Sequence, residues 1–518
     1  MQMDSPERSG WIHFSAAASA GALLGLCAPG FDQWYLAWVG LVPLLLLVAS
    51  SVSLWQAARR GLTFGLAYNL VYLNWYLGLY PLDWLGFNDW QGRALALAAW
   101  LCVALHQGFI VAAFAAACRI LPLTGGFLPR KVEERWHLPA LVAVPLLWVL
   151  VENKVGNAPD LLGVPWSMIE YSQYRQLALL QAARWVGGIG IAALIVMVNV
   201  ALAGTLATLS RRAAWKSLAC ATTSGAAIQL LAAALLVSLT ASFGLASLSA
   251  SRLEPKTALG VVQGNINIDM QKTAHRYTLA DLTARYRPLI ERCPPGICIL
   301  TESALPTYLH DGGPTAQTLS ALARGRQLDL VAGAMDRDRQ GRAYNSAFGV
   351  TRDGRLVSTV YHKRYLVPFG EYTPRAVEYM PEWVKRLTNT PAGGGFRAGN
   401  APAVLWMSGG RIAPLICFET ISPELVAESV RDGGALLVNL SDLAWFHDSM
   451  IGQQMLAFSV MRAVESKRYF VFAANSGPSA VIDPDGRITS RSRVDEQTLL
   501  LGKVGFLSDL TPFTLWFR

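Results

Sequence analysis

The stretch Arg411–Thr420 reads RIAPLICFET, an apolar run that stops at a thiol and a carboxylate. It predicts a buried β-strand that ends at Cys417, because the Ser422-Pro423-Glu424 segment that follows is typical of a helix start. A strand that passes into a helix at a cysteine lifts the sulfur out of the sheet, and the nearby helix N-terminus favours the thiolate. The stretch therefore predicts an α/β fold with a nucleophile at a strand end.

Two upstream segments also place reactive groups at predicted strand ends. Glu302 lies in LTESALP, residues 300–306, and Lys363 lies in YHKRYLVPFGEY, residues 361–372. In α/β sheets, strand ends are where ligands meet the chain. Together these residues would form an acyl-transfer centre. The carboxylate would take the thiol proton, the thiolate would attack an acyl carbon, and the ammonium group would stabilise the oxyanion.

Each of these residues has an ordinary explanation when it is taken alone. A single glutamate in a turn is usually solvated, a single buried cysteine usually belongs to the core, and Lys363 could be a surface cation. The prediction of a catalytic centre rests on the combination of Glu302, Lys363 and Cys417, three chemically matched residues at three strand ends.

Composition divides the 518-residue chain into two regions. Residues 1–250 are very apolar, whereas residues 251–518 alternate short strands and helices with charges and turns. This pattern predicts a multi-pass α-helical membrane domain followed by an α/β domain in which helices cover a sheet. The candidate membrane spans are about 11–29, 34–50, 61–80, 94–118, 138–152, 186–209 and 217–244.

The basic residues between these spans predict an orientation. With the N-terminus in the cytoplasm, the cytoplasmic side holds Arg8, Arg59, Arg60, Arg119, Arg130, Lys131, Arg135, Arg211, Arg212 and Lys216. The opposite side holds only Arg93, Lys154, Arg175 and Arg184. Because basic loops stay in the cytoplasm, seven crossings would leave the α/β domain outside it.

Several classes of ligand are not indicated. The net charge of +9 does not predict nucleic-acid binding, because the basic residues are scattered rather than gathered in a stripe. The seven histidines are dispersed and none pairs with a cysteine at ligand spacing, so no metal site is predicted. No soluble cofactor is implied. Among the seven cysteines, Cys293 and Cys298 bracket Pro294-Pro295-Gly296 and could form a disulfide, which would leave Cys417 free.

These segments resemble the nitrilase superfamily, whose members share a Glu-Lys-Cys triad on an αββα sandwich. Within that superfamily, the chain most resembles the apolipoprotein N-acyltransferase family, whose members also carry a block of membrane spans before an exported nitrilase-like domain. The positions that carry the narrower match are Gly264-Asn265, Tyr344-Asn345-Ser346, YHKRYLVPFGEYTP from Tyr361, Asn439–Asp442, Trp445-Phe446, Ser449, Gln454 and Arg462–Glu465. The resemblance covers nearly the whole chain.

The resemblance implies a phospholipid-dependent acyltransferase of the bacterial inner membrane with a periplasmic catalytic domain. Cys417 would accept an acyl chain from a phospholipid as a thioester. It would then pass the chain to the free α-amine of a diacylglyceryl-cysteine at the N-terminus of an apolipoprotein, in a ping-pong reaction. Glu302 would be the general base and Lys363 the partner of the carbonyl oxygen.

The resemblance also implies a set of supporting residues around the pocket. They are Glu371, Glu419 and Asn345, with Phe418, Trp445 and Phe446 as an apolar wall. The chain departs from the family pattern at several positions: Phe418 stands where the family usually has Tyr, Gln271-Lys272 where it tends to have Trp, and His447 where it usually has Gly. The segment Tyr379–Phe396 suits either a flexible arm at the membrane surface or a surface loop with one buried tryptophan.

Two other functions fit parts of the pattern. A membrane-tethered nitrilase-type amidase, or a relative associated with conjugal transfer, would use the same triad on another amide or acyl donor. The identity of the acceptor, water or a lipoprotein amine, would distinguish it. A non-enzymatic assembly factor with an inactive domain fits less well, because it has no physical need for Glu302, Lys363 and Cys417 together.

Overall fold

The computed structural model describes residues 6–83, 86–121, 123–124, 138–155, 165–210, 223–266, 279–385 and 394–517. The chain forms two compact units. The first comprises residues 1–250 together with 449–457, and the second comprises residues 251–448 and 458–518. The sequence pattern gives no sign that residues 449–457 belong with the first unit.

The first unit is helical. Its helices are α1 (Pro6–Gly25), α2 (Val42–Ala49), α3 (Leu54–Tyr72), α4 (Asp89–Ile120), α5 (Ala140–Leu150), α6 (Leu177–Leu180), α7 (Ala183–Ser210) and α8 (Thr223–Ala250). Two parallel strands of two residues each, β1 (Leu123–Thr124) and β2 (Leu138–Pro139), lie between α4 and α5. The helix α7 is interrupted at Gly187, whose φ of 65° is outside the helical region.

Three helices in the described part of the chain, α4, α7 and α8, are long and apolar enough to cross a membrane. Two shorter apolar helical segments, Trp34–Ala49 and Ala140–Asn153, fall below that length. Each of the seven stretches predicted as spans contains a helix, although residues 217–222 of the last stretch lie outside the described residues. The helical, apolar character of this region is confirmed, and the number of crossings stays a prediction.

Small residues let α3 and α4 approach closely. A side chain at Gly61 would lie 2.6 Å from Cβ of Ala115, and one at Gly65 would lie 2.6 Å from Cβ of Val111. Gly61 and Gly65 are four residues apart, so they share one face of α3. This small-xxx-small spacing is typical of helices that pack within a membrane.

The second unit contains two β-sheets. The strands of the first, in sequence order, are β3 (Thr257–Gln263), β4 (Gly296–Leu300), β5 (Leu305–Tyr308), β6 (Leu328–Arg337), β7 (Ala343–Val350), β8 (Tyr361–His362) and β15 (Thr498–Val504). Their spatial order is β15-β3-β4-β6-β7-β8, and β5 also pairs with β6. The second sheet comprises β9 (Leu405–Met407), β10 (Gly410–Ile416), β11 (Leu436–Ser441), β12 (Phe470–Ala474), β13 (Ala480–Ile482) and β14 (Ile488–Arg491). Its spatial order is β14-β13-β12-β11-β10-β9.

The helices of this unit are α9 (Leu279–Glu291), α10 (Pro314–Arg326), α11 (Glu382–Lys385), α12 (Pro423–Arg431), α13 (Ile451–Ser466) and α14 (Pro512–Trp516), of which α13 begins in the first unit. The two sheets contact each other, β3 against β12 and β7 against β10. Helices α9 and α10 pack on one sheet and α12 packs on the other. The predicted αββα sandwich is confirmed.

The core of the first sheet shows why α9 packs where it does. Tyr286, Leu289 and Ile290 recur at helical spacing on one face of α9 and are buried. They belong to one buried cluster with Val262 of β3 and Leu330 of β6. Burial of such side chains stabilises the sandwich by about 1.5–3 kcal/mol for each large one.

Parallel pairing sets the location of the site. The strand β4 is parallel to β3 and β6, and β10 is parallel to β11, which is parallel to β12. The carboxyl ends of parallel neighbours lie at one edge of a sheet. Residues that directly follow β10, β11 and β12 therefore lie close together, and the same is true of those that follow β3 and β4.

Candidate active site

The three predicted catalytic residues all follow strand ends and are buried. Glu302 lies two residues after β4, Lys363 directly follows β8, and Cys417 directly follows β10. Glu302 and Lys363 come from one sheet and Cys417 comes from the other. The structure brings their functional groups together between the two sheets.

A compact polar network joins the lysine to two carboxylates. Nζ of Lys363 donates to Oε1 of Glu302 at 3.0 Å and to Oε1 of Glu371 at 2.9 Å. Nδ2 of Asn345 donates to the same two oxygens, at 2.8 Å each. The predicted supporting residues Asn345 and Glu371 therefore contact the predicted base and cation directly.

The second oxygen of each carboxylate is held by backbone. The Asp442 N–H donates to Oε2 of Glu302 at 3.0 Å, and the Val367 N–H donates to Oε2 of Glu371 at 2.9 Å. Asp442 directly follows β11, and its Oδ1 accepts from Nδ2 of Asn475 at 3.1 Å. Both Asp442 and Asn475 were missed as site residues, although their positions at the ends of parallel strands are a signal that could have identified them.

Lys363 is fixed at both its backbone and its side chain. Its N–H donates to the Asn345 carbonyl and its own carbonyl accepts from the Gly399 N–H, each at 2.8 Å. Its side chain is only 1% exposed. Burial alone would lower the pKa of Lys363, but the carboxylates of Glu302 and Glu371 outweigh it and hold the pKa well above its ordinary value. The two acids therefore favour the charged form of the lysine.

Cys417 occupies a strained position at the end of β10. Its φ is 55°, in the left-handed region that residues other than glycine rarely adopt. Its carbonyl accepts from Nδ2 of Asn439, a β11 residue, at 2.8 Å. Backbone strain of this kind costs on the order of 1–3 kcal/mol and is found at functional sites.

The predicted helix start at Ser422-Pro423-Glu424 is confirmed, with the Ser422 side chain as its cap. Cys417–Ile421 forms a short 3-10 turn, and the α-helix α12 begins only at Pro423. Burial raises the pKa of the Cys417 thiol well above its usual range, and the carboxylate of Glu302 raises it further, while Lys363 lowers it. The expected preference for thiolate at this position is therefore opposed by burial, which outweighs the neighbouring cation.

Glu419 links the nucleophile to the lysine segment. Its Oε1 accepts from the Arg364 N–H at 2.6 Å and the Tyr365 N–H at 3.1 Å. Its Oε2 accepts from the Ile416 N–H at 2.6 Å and the Tyr361 hydroxyl at 2.7 Å. Burial raises the pKa of Glu419, and these donors oppose that shift. The carboxyl group therefore joins the chain around β8 to the chain around β10.

The aromatic residues near the cysteine are positioned by two short turns. Phe418 directly follows Cys417, and its ring packs edge-on against Phe446 with 6.0 Å between ring centroids. Phe446 belongs to the 3-10 turn Ala444–Phe446, which also contains Trp445. His447 then adopts φ 49° and ψ −152°, a conformation that is essentially restricted to glycine.

A second polar cluster includes His362, the residue that directly precedes Lys363. The Asp336 carboxylate lies between two imidazoles, with Oδ1 3.1 Å from Nδ1 of His310 and Oδ2 2.9 Å from Nε2 of His362. The His362 ring stacks on Tyr344, 4.3 Å between centroids. This cluster anchors β8 immediately before Lys363, and the sequence pattern gave no indication of it.

Two other expectations can be compared with the described residues. Within these residues, no group of three or more His, Cys, Asp or Glu side chains is arranged to hold a metal ion. In the segment predicted as an arm, Tyr379 is 90% exposed and Met380 is also exposed. Residues 386–393 of that segment lie outside the described part of the chain.

Two protein-family models match the chain. The model described as carbon-nitrogen hydrolase matches residues 259–506. The model described as apolipoprotein N-acyltransferase N-terminal domain matches residues 20–201. The first match thus covers most of the αββα unit, and the second covers residues 20–201 of the helical unit.

Curated relatives match over nearly the full length. A protein named apolipoprotein N-acyltransferase from Geobacter metallireducens is 32% identical, over 94% of this chain and 88% of its own length. Proteins of the same name from Gloeobacter violaceus and Pseudomonas syringae are 31% and 30% identical, over 97% and 98% of this chain and 90% and 94% of their own lengths.

Solved structures match about half of the chain. Saccharomyces cerevisiae Nit3, a member of branch 10 of the nitrilase superfamily, is 20% identical with a TM-score of 0.35, covering 49% of this chain and 92% of that chain. An amidase from Nesterenkonia sp. AN1 is 16% identical with a TM-score of 0.38, covering 51% of this chain and 95% of that chain.

Proposed function

Because the chain belongs to the apolipoprotein N-acyltransferase family, we propose that it acylates lipoproteins through a thioester on Cys417, with a phospholipid as acyl donor. The chain is an acyltransferase of lipoprotein biosynthesis. The polar network of Glu302, Lys363, Glu371 and Asn345 is the observation that supports this mechanism, because it supplies a base and a cation beside a buried thiol.

The first half-reaction forms the thioester. Glu302 takes the Cys417 proton as the sulfur attacks the ester carbonyl carbon of the phospholipid. Lys363 is a buried cation and stabilises the oxyanion that develops. When the tetrahedral intermediate collapses, the ester C–O bond breaks, the proton passes from Glu302 to the leaving oxygen, and a lysophospholipid departs.

The second half-reaction transfers the acyl group. The α-amine of a diacylglyceryl-cysteine attacks the thioester carbonyl carbon, and Glu302 accepts the amine proton. The C–S bond then breaks, the proton returns to the sulfur, and the product is an amide on the lipoprotein. The same base and cation serve both steps, because each passes through an oxyanion at the same carbonyl.

A membrane location matches the substrates. The helical unit contains helices long and apolar enough to span a bilayer. Moving an acyl chain into water costs about 0.8 kcal/mol per methylene, so an enzyme that takes the chain directly from the bilayer avoids that cost. We place the protein in the bacterial inner membrane with the αββα unit on the periplasmic side, in line with the charge bias of its loops.

Intact-mass measurement tests the thioester. The full-length protein is purified from membranes, incubated with phospholipid and compared with Cys417→Ser. Cys102→Ser, which removes an exposed cysteine of the helical unit, is the matched control. We expect a hydroxylamine-labile acyl adduct on the wild type and on Cys102→Ser, and none on Cys417→Ser.

Addition of a synthetic diacylglyceryl-cysteinyl peptide then tests the acceptor. We expect the adduct to disappear as the peptide gains the acyl group as an amide. Loss of the adduct to water at the same rate with and without peptide would indicate an amidase or esterase instead. A wild type that forms no adduct with any phospholipid would refute the proposed donor.

A further inference from the structure

Two buried cysteines of the second unit lie side by side. Cys293 follows the end of α9, Cys298 is on β4, and their sulfur atoms are 3.0 Å apart. Both side chains are fully buried. A disulfide bond is about 2.05 Å long, so a movement of about 1 Å would bring the two sulfurs to bonding distance.

The surrounding backbone holds the two sulfurs in this arrangement. The chain reverses direction through Gly296, whose φ is 148°, and a side chain there would lie 2.3 Å from the Ala258 carbonyl oxygen. A side chain at Gly260, the register partner of Cys298, would lie 2.6 Å from Sγ of Cys293. The space beside the sulfurs is therefore kept free by a glycine.

The turn between the cysteines is also fixed by hydrogen bonds. The Gly296 N–H donates to the Gln327 carbonyl, and the Arg326 guanidinium donates to the Cys293 carbonyl, each at 3.3 Å. These bonds attach the turn to the end of α10.

We propose that Cys293 and Cys298 form a disulfide bond in the mature protein, made by exchange with an external disulfide. One thiolate attacks the external disulfide, forms a mixed disulfide and releases one thiol. The second cysteine, as thiolate, then attacks the mixed disulfide and releases the second thiol. Two cysteine thiols are oxidised, and one external disulfide is reduced to two thiols.

Burial determines when this exchange takes place. The neighbouring Cys293 thiol and burial raise the pKa of Cys298 well above its usual range, so little thiolate is present once the unit has folded. The bond therefore forms while residues 293–298 are still accessible, during folding. Once formed, it lies away from solvent and resists reductants.

The bond would fasten the strand that leads to the predicted base. Cys298 is on β4, and Glu302 lies four residues later. A disulfide would tie the end of α9 to β4 and reduce the conformational freedom of the unfolded chain around this turn. Formation of this bond in the cell depends on the periplasmic location proposed above, because disulfides persist in oxidising compartments.

Mass spectrometry of one tryptic peptide tests the proposal. Both cysteines lie in the peptide Cys293–Arg324, and Cys417 lies in Ile412–Arg431. Full-length protein purified without reductant is denatured, alkylated with iodoacetamide and digested. We expect Cys293–Arg324 to carry no alkyl group and to be about 2 Da lighter than its dithiol form. After dithiothreitol it should carry two alkyl groups, whereas the Cys417 peptide, cleared of any acyl thioester with hydroxylamine, should be alkylated in both samples.

A second sample is refolded from denaturant with glutathione disulfide. It tests whether the two cysteines can pair at all, independently of the compartment in which the protein folds in the cell. Alkylation of both cysteines in both samples would overturn the proposal. A disulfide in the refolded sample alone would support the pairing and count against the periplasmic placement. Thermal unfolding adds an independent measure: Cys293→Ser, Cys298→Ser and the double variant should each lower Tm by about 5 °C. Cys102→Ser should leave Tm unchanged. If one bond is responsible, the Tm decrease of the double variant must be smaller than the sum of the decreases of the two single variants.

Discussion

Glu302 and Glu371 share the same two donors: Oε1 of each accepts from Nζ of Lys363 and from Nδ2 of Asn345, at distances of 2.8–3.0 Å. Two carboxylates therefore flank one buried ammonium group, and the Asn345 amide donates a hydrogen bond to each of them. Without the cation and the amide, two acids this close would repel each other. This relationship determines how the site should respond to substitution.

Replacement of Glu302 by Gln should separate thiol ionisation from catalysis. The Glu302 carboxylate raises the pKa of Cys417, so Glu302→Gln lowers that pKa and increases the thiolate fraction at any given pH. Alkylation of Cys417 by iodoacetamide should become faster, and its pH profile should shift to lower pH. Thioester formation should fall by about 10²–10⁴-fold, because the proposed base is lost.

Lys363→Met should shift the same pH profile in the opposite direction. The ammonium group lowers the pKa of Cys417, so its loss leaves less thiolate and alkylation should require a higher pH. Alkylation rates from pH 6 to 10, with Cys417→Ser as the baseline, measure both variants. Identical profiles for wild type, Glu302→Gln and Lys363→Met would contradict the proposed contact of these groups with the sulfur.

Asn345→Asp should be more harmful than Asn345→Ala, although Asp is closer in shape to Asn. The aspartate would place a third carboxylate beside Glu302 and Glu371 and remove both donated hydrogen bonds. Loss of such bonds to charged groups costs about 1.5–3 kcal/mol, and charge repulsion adds to it. Acyl-transfer rates and Tm of both variants provide the comparison, and equal effects would argue that shape rather than charge matters here.

Tyr361→Phe should destabilise the protein in a pH-dependent way. The Tyr361 hydroxyl donates to buried Glu419, and its loss should cost about 1–2 kcal/mol. Burial already raises the pKa of Glu419, so the stability linked to this carboxyl is fully present below its unfolded pKa and is lost as pH rises through the folded pKa. Removal of a donor raises that pKa further. The Tm deficit of Tyr361→Phe should therefore be larger at pH 8 than at pH 5, and a deficit that is constant with pH would contradict this reasoning.

His447→Gly should stabilise the protein. His447 has φ 49° and ψ −152°, and relief of such strain is worth about 1–3 kcal/mol, partly offset by the greater freedom of glycine in the unfolded chain. Thermal unfolding measures the effect, and Lys467→Gly is a useful comparison because Lys467, with φ 50°, also has a positive φ. A lower Tm for His447→Gly would indicate that the imidazole makes contacts that outweigh the strain.

Cysteine labelling tests the orientation independently of activity. In a Cys417→Ser background, Arg339→Cys places a thiol on an exposed turn between β6 and β7, and Arg212→Cys places one in a predicted cytoplasmic loop. A membrane-impermeant maleimide added to cells with a permeable outer membrane should label the first and not the second. The reverse pattern would put the αββα unit in the cytoplasm.

The sequence by itself determined the class of the fold and predicted the candidate reactive side chains. Short apolar runs that stop at Glu302, Lys363 and Cys417 are local features, because side-chain alternation and helix-start residues act over a few positions. The length and apolarity of the first region are local too, so the helical unit could also be predicted.

Only the tertiary structure decided how these groups influence one another. The donors to Glu302 come from Lys363, Asn345 and Asp442, which are 43 to 140 residues away along the chain. The raised pKa of Cys417 depends on burial and on charges contributed by another sheet, and a 3-10 turn separates the cysteine from the predicted helix start. Such effects depend on distances between distant segments, which local sequence patterns do not specify.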